Sequence, residues 1–335
     1  MMKALVLEAT DTFPVLRNVP VPTLRPGEAL VRLEAAALNR RDGWIRRGQY
    51  PGIVHPIILG SDGCGVVESV ADVGAEWVGR RVILCPGIGW GDDEAHQDDG
   101  YEVLGLPRNG TLAEYVAIPV ENVCLAPEHL SPSQVAALPL AGLTAWRALM
   151  TRGAFRTGER VFISGIGGGV ASIAAKIALA AGADLVVSSS AAHKLETAIS
   201  WGARGGVDYT TPHWRKTAQA LAPKGYDVII DSAGGDGFGD LARLLAPGGR
   251  LVFFGGTRGA WPALLPQHLF FRQLSILGST MGSPREFAAL LEHVSAHHIE
   301  PHLDGVYAFA DGASAFARLE AGQHFGKIVL AVGKG

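Results

Sequence analysis

Between residues 160 and 277 short apolar runs alternate with helical stretches, and that alternation leaves few folds open. Strands are expected at 160–164, 184–188, 206–208, 227–231, 250–255 and 274–277, with helices between most of them. Strands joined by helical crossovers form a parallel sheet covered on both faces. The expected product is a doubly wound, six-stranded Rossmann sheet.

The first of these strands runs into "VFISGIGGGVASIAAK", residues 161–176. Gly165, Gly167, Gly168 and Gly169 let the backbone turn tightly and approach a pyrophosphate. Val170 and Ala171 then open a helix whose first N–H groups favour the phosphate charge. Ala171 stands where a third glycine would give the closest helix-to-strand packing. With a strand before it and a helix after it, the run is expected to bind a dinucleotide; a glycine-rich connection without a ligand is the alternative. After the second strand an NAD site usually carries an acid for the ribose 2′-hydroxyl. This chain has "DLVVSSSAAHK" there, with Ser188, Ser189, Ser190 and Lys194. Hydroxyl donors and a cation suit a 2′-phosphate, so NADPH is expected over NADH, unless the serines merely form a loop.

Upstream the pattern changes. "KALVLEA", "EALVRLEAAAL", "CGVVESV", "RRVIL" and "AEYVAI" are short apolar or alternating runs separated by turn signals, the mark of a mostly β domain. In "LSPSQVAALPLAGLTAWRALM" Ser131 caps a helix with Pro132 at its first position, and Pro139 breaks it before a second helical stretch ending at Gly153. Residues 86–107 form a polar, acidic lobe, and the tail "FGKIVLAV" reads as a strand returning to the first domain.

Composition mainly excludes. A length of 335 residues allows two domains. Net charge is −3 without a long block of either sign, which argues against nucleic acid and for a small ligand. No segment is apolar for the length of a bilayer crossing and no signal peptide is legible, so a soluble cytoplasmic protein with no membrane partner is expected. Cys64, Cys85 and Cys124 are too few and too scattered for a disulfide framework or a cysteine zinc knuckle.

The segments "LNRRDGWIRRGQYP", "ILGSDGCGVVESVADVG", "NGTLAEYV", "LPLAGLTAWRAL", "SGIGGGVA", "DVIIDSAGG", "GGRLVFFGG" and "FGKIVL" occur in this order. Together they resemble the medium-chain dehydrogenase/reductase superfamily, specifically its zinc-independent quinone oxidoreductase, or zeta-crystallin-like, branch. The resemblance implies a GroES-like catalytic domain made of residues 1–125 and 281–335, with a Rossmann domain at 126–280. Zinc-dependent alcohol dehydrogenases of the superfamily bind catalytic zinc through cysteine, histidine and cysteine. The matching positions here are Asn39, Ser61 and Leu140, none of them a good zinc ligand. The acidic lobe likewise lacks the four cysteines of the family's structural zinc site, so no metal is expected.

Without zinc, an acceptor that spreads arriving charge by conjugation needs only hydrogen-bond donors. By resemblance those are Asn39 and Tyr50. Asp42 and Asp62 match acidic positions of the family; with a histidine they could improvise a metal site, but structural hydrogen bonding near the cofactor cleft explains them more simply, and Asp42 is placed among the catalytic residues. Arg41 departs from the family pattern; it either draws an acidic substrate or enolate, or is a solvated charge beside Arg40. The final proton comes from Tyr50 or from water. On the cofactor side, Thr144 is implied near the nicotinamide, Tyr209 near the adenosine phosphate, and Gly255, Gly256, Thr257, Ser279 and Thr280 beyond the fifth and sixth strands. Lys327 is either close to the cofactor or a surface lysine. The expectation is an NADPH-dependent, zinc-independent reductase of quinones, enones or related activated carbonyls, a homodimer paired through "LSILGST". Alcohol or aldehyde oxidoreduction and a non-catalytic nucleotide-binding role are the alternatives.

Overall fold

A computed structural model describes residues 1–333. It divides into two compact units, one made of Met1–Leu143 with the chain from Gly282 onward, the other of Thr144–Met281.

The first unit begins with β1 (Met2–Leu7), β2 (Val15–Val19), β3 (Glu28–Ala37), α1 (Arg40–Arg46), β4 (Ile57–Ile58) and β5 (Asp62–Val70). It continues with β6 (Arg81–Leu84), β7 (Gly87–Ile88), β8 (Glu102–Val103), β9 (Tyr115–Pro119) and β10 (Val123–Leu125). Two helices follow, α2 (Pro132–Ala136) and α3 (Pro139–Trp146), the first capped by the Ser131 hydroxyl accepting from the Gln134 N–H. α2 packs against β3 and β5, and the division between the two compact units falls inside α3. The acidic lobe carries β7 and β8 and is pinned from within, the buried Trp90 ring meeting Tyr101 edge-on at 5.3 Å.

The second unit holds β11 (Arg160–Ile163), α4 (Gly169–Ala180), β12 (Asp184–Ser189), α5 (Ala192–Ser200) and β13 (Gly205–Asp208). After these come α6 (Trp214–Leu221), β14 (Tyr226–Asp231), α7 (Phe238–Leu244), β15 (Leu245–Phe253), α8 (Pro266–Phe271) and β16 (Ser275–Gly278). All six strands run parallel in the order β13-β12-β11-β14-β15-β16, the doubly wound sheet read from the alternation. Phe162, Val186, Ile229, Leu251 and Phe238 fill its core. The order reverses at β11, the strand that carries the glycine run, and ligands of such sheets bind at that reversal.

The chain then returns to the first unit with α9 (Pro284–Ala296), β17 (Leu303–Ala308), α10 (Gly312–Glu320) and β18 (Lys327–Ala331). The tail is the strand expected, lodged between β3 and β17 in the sheet β10-β6-β5-β3-β18-β17, with β9 also paired to β3. Leu33, Val31, Leu84, Val116 and Ile328 build the core against it. Among the described residues no helix is long and apolar enough to cross a membrane.

Candidate active site and dinucleotide site

The first unit assembles its polar cluster by strand register. Ala37 of β3 faces Asp62 of β5 on one side and Val329 of β18 on the other. Two residues further along the antiparallel β3–β18 pair, Asn39 meets Lys327. The Lys327 ammonium is buried and donates to Asn39 Oδ1 at 2.6 Å, Asp62 Oδ2 at 2.9 Å and the Leu38 carbonyl at 2.8 Å. All three of its hydrogens are spent. Asn39 Nδ2 donates to the same Asp62 Oδ2 at 2.9 Å, so ammonium on one end and carboxylate on the other fix the amide's orientation. Leu140 N–H donates to Asp62 Oδ1 at 2.7 Å. The surface-lysine alternative for Lys327 is thereby corrected: the side chain pairs with a carboxylate that is itself fully buried.

Asp42, at the third position of α1, takes Asn39 N–H on Oδ2 at 2.7 Å and Gly60 N–H on Oδ1 at 3.2 Å. Burial raises its pKa above the ordinary carboxylate range, and the nearby Arg41 charge and the two amide bonds only partly offset that. Gly60 is itself crowded by backbone: a Cβ at Gly110 would lie 1.9 Å from its carbonyl oxygen. Arg41 is buried as well, so the solvated charge offered as one reading of it is corrected. Its Nη1 donates to Ser61 Oγ at 2.8 Å and to the Leu104 carbonyl at 2.9 Å, and Ser61 donates to that carbonyl at 2.7 Å. The guanidinium lies 5.2 Å from the centroid of the half-buried Tyr50 ring.

Tested against zinc, this donor set does not fit. Leu140 has no side-chain ligand, Ser61 is closed by Arg41 and Leu104, and the Asn39 oxygen is taken by Lys327. The remaining strong ligand, Asp62, is held 2.9 Å from an ammonium, where a second cation is repelled. Among the described residues no group of three or more His, Cys, Asp or Glu side chains is placed to hold a metal ion.

The second unit carries the glycine run at the carboxyl end of β11. Gly165 has φ +64° with open space where a Cβ would project, and a Cβ at Gly168 would meet nothing nearer than 3.8 Å. Gly168 precedes α4, whose first amides, from Gly169 and Val170 onward, lack partners within the helix. An open cradle floored by free N–H groups fits a pyrophosphate. Gly167 lies in the same turn. At the end of β12, Ser188 Oγ accepts Gly165 N–H at 3.2 Å and Ser189 Oγ accepts Ala191 N–H at 3.2 Å, both residues being buried. Ser190 is exposed, Lys194 is buried on α5, and the Tyr209 N–H donates to the Ser189 carbonyl at 3.3 Å. The structure thus gathers Ser189, Ser190 and Tyr209 at one strand end, while two of the three serine hydroxyls also brace the local turn.

Beyond β15, a Cβ at Gly255 would meet the Ser232 carbonyl at 2.8 Å, Gly256 is open, and Thr257 N–H donates to that same carbonyl at 3.4 Å. Past β16, Ser279 N–H donates to Phe253 O at 2.9 Å while its Oγ is buried without a partner. Thr144 is buried, its hydroxyl 3.9 Å from Met281 Sδ. Sequence reasoning passed over Asp231. At the end of β14 it hydrogen-bonds Ser164 Oγ, the residue before the glycine run, and accepts Ala233 N–H at 3.2 Å and Gly234 N–H at 2.8 Å. The signal was present in "DVIIDSAGG": an acid that closes an apolar strand and runs directly into a small-residue, glycine-rich turn.

The family described as alcohol dehydrogenase GroES-like domain matches residues 25–128, and that described as zinc-binding dehydrogenase matches residues 169–296. The zinc-type alcohol dehydrogenase-like protein YogA of Leptosphaeria maculans is 35% identical, over 95% of this chain and 94% of its own. The 2-methylene-furan-3-one reductase of Solanum lycopersicum is 30% identical, over 96% of this chain and 76% of its own. A crystal structure of an NAD-dependent alcohol dehydrogenase superposes with a TM-score of 0.94 at 37% identity, covering 99% of this chain and 100% of that one. The chain belongs to the medium-chain dehydrogenase/reductase superfamily, among its zinc-type alcohol dehydrogenase-like members. It is an oxidoreductase of a nicotinamide-dependent family.

Proposed function

We propose that this oxidoreductase moves hydride from NADPH to a conjugated carbonyl, an enone or a quinone, without zinc. The observation that carries this reading is the closed Lys327–Asn39–Asp62 cluster: Asn39 stands at one of the positions where the zinc enzymes of the family keep a ligand, and its side chain is tied to an ammonium and a carboxylate instead. A simple carbonyl reduced without a Lewis acid leaves a localised alkoxide; a conjugated one delocalises the charge, and hydrogen-bond donors suffice.

The dinucleotide supplies the hydride. The second unit holds its pyrophosphate over Gly165–Val170 and its 2′-phosphate at Ser189, Ser190 and Lys194, with Tyr209 beside the adenosine and Thr144, Gly255, Gly256, Thr257 and Ser279 toward the nicotinamide half. In the first unit Lys327 withdraws electron density from the Asn39 oxygen, which makes the remaining Nδ2–H a stronger donor to the acceptor's oxygen. Tyr50 is the second donor. Asp42 holds the Asn39 backbone and touches no substrate. For an enone the sum is NADPH, one proton and the enone giving NADP⁺ and the saturated ketone. The name of the tomato relative supports this substrate class, since a 2-methylene-furan-3-one is a conjugated ketone. We also assign a homodimer. The edge strand β16 has a strand partner, β15, on one side alone, and Leu265, Phe270 and Phe271 stand 66%, 59% and 78% exposed just before it.

The test is the initial rate of NADPH and of NADH oxidation with phenanthrenequinone and with a simple enone in chelator-containing buffer. Turnover that prefers NADPH supports the reading. Oxidation of alcohols with NAD, stimulated by zinc, replaces it with the chemistry that the solved neighbour's name carries. Lys194→Ala is expected to weaken NADPH about tenfold while leaving NADH within twofold, checked by the ratio of KM values.

A further inference from the structure

Arg41 is a buried guanidinium that makes no salt bridge among the described residues. Its hydrogen bonds leave from Nη1 alone, to Ser61 Oγ at 2.8 Å and Leu104 O at 2.9 Å. Nε is covered and without a partner, and Nη2 beside it makes no hydrogen bond within the described residues. Elsewhere in the chain this Nε/Nη2 edge holds carboxylates with two parallel bonds: Arg46 to Glu320 at 2.5 and 2.8 Å, Arg160 to Asp227 at 2.9 and 2.7 Å, Arg318 to Asp304 at 2.8 and 2.8 Å. The carboxylate next to Arg41 in sequence, Asp42, is engaged by the backbone N–H groups of Asn39 and Gly60. Burying an unpaired cation is costly, and leaving its two-pronged edge empty costs more. A bound anion would remove both costs.

We propose that Arg41 is the substrate's carboxylate anchor, and that the acceptor is a conjugated carbonyl carrying a carboxylate, an oxo-enoic acid. The proposal rests on the reductase reading above and narrows its substrate class. A single enolate oxygen would use one prong; a carboxylate presents two coplanar oxygens to the planar fork. Nη1 is fixed by Ser61 and Leu104, and the Tyr50 ring stands 5.2 Å from the guanidinium carbon, so the plane of the fork is set before a substrate arrives, while the covered Nε is reached only as the groups over it move aside.

The experiment compares kcat/KM for 4-oxopent-2-enoate and for its methyl ester, in the wild type, Arg41→Met and Arg41→Lys. The ester is intrinsically the better hydride acceptor, so a preference for the acid reports recognition. In the wild type the acid is expected to lead by about tenfold or more. In Arg41→Met the acid-to-ester ratio is expected to fall to within about threefold of one, with Arg41→Lys in between, because a lysine keeps the charge and loses the fork. An ester used as well as the acid by the wild type overturns the proposal, as does an unchanged ratio in Arg41→Met. If Arg41→Met does not fold, the wild-type ratio and Arg41→Lys decide. If neither compound is reduced, the reductase reading fails by itself, and calorimetric binding of the saturated 4-oxopentanoate decides for Arg41: a Kd weakened about tenfold in Arg41→Lys upholds the anchor, and an equal Kd or no binding to either protein overturns it.

Discussion

Lys327 and Asn39 are 288 residues apart in the chain and 2.6 Å apart in space. The cation at residue 327 organises a site whose other members were chosen from the sequence by family position. Removing it leaves the buried Asp62 carboxylate without its cation, held only by the Asn39 amide and the Leu140 N–H. Lys327→Met is therefore expected to cost about 3–5 kcal/mol, and adding Asp62→Leu to recover part of that, since a buried pair is worth little more than a well-packed apolar replacement. Urea unfolding checks both; a loss below about 1 kcal/mol in the single variant would contradict the pairing. Asp42 makes a different prediction. With its folded pKa raised by burial, the folded state retains a proton that the unfolded chain releases near pH 4, so Asp42 contributes least to stability once pH has risen through its folded value. The stability of the wild type minus that of Asp42→Asn should fall as pH rises from about 4. A difference that climbs instead would mean that Arg41 and the two amide bonds outweigh burial. The cysteines are chemically quiet by the same physics: burial pushes the Cys64 and Cys85 thiols up to about 12 and Cys124 up to about 11.

Glycines mark where elements approach most closely, and two of them separate packing from binding. Gly110→Ala places a methyl group 1.9 Å from the Gly60 carbonyl, and Gly60 N–H is one of the two amides on Asp42. That variant is expected to lose about 3 kcal/mol or more, read by thermal or urea denaturation. Gly165→Ala meets no neighbour, but it forces an L side chain to φ +64° and sets a methyl in the open cradle. It should cost only about 1–2 kcal/mol of stability while weakening NADPH binding, seen by cofactor titration. The alternation of strand and helix in the second unit was legible because each signal is local: a strand declares itself in four to six residues and α4 in one alanine-rich apolar run after the glycines. The cluster in the first unit was not, because it depends on the register of β3 against β5 and β18, and pairing register is invisible in any one strand. Asn39 and Asp62 were named from position; that one carboxylate oxygen serves both Asn39 and Lys327 came only with the structure.

For the whole molecule, the proposed dimer gives the plainest experiment. Phe271→Glu puts a charge on the most exposed ring beside β16 and is expected to leave a monomer by sedimentation, with near-UV circular dichroism unchanged. The sequence pointed to two bodies of unlike architecture and to a tail that returns; that α2 belongs to the first of them depends on its packing against β3 and β5, a contact between distant segments. The placement of β18 has a consequence for synthesis. Residues of the first unit emerge from the ribosome first, but the sheet cannot close, nor Asp62 find its counter-ion, until Lys327 and the strand it begins have been made. The stretch 144–281 is continuous in the chain and is complete before residue 327 is made, while the Ala35–Ala37 end of β3, beyond the part that β9 pairs, still lacks its β18 partner, and any delay before residue 327 prolongs that exposure.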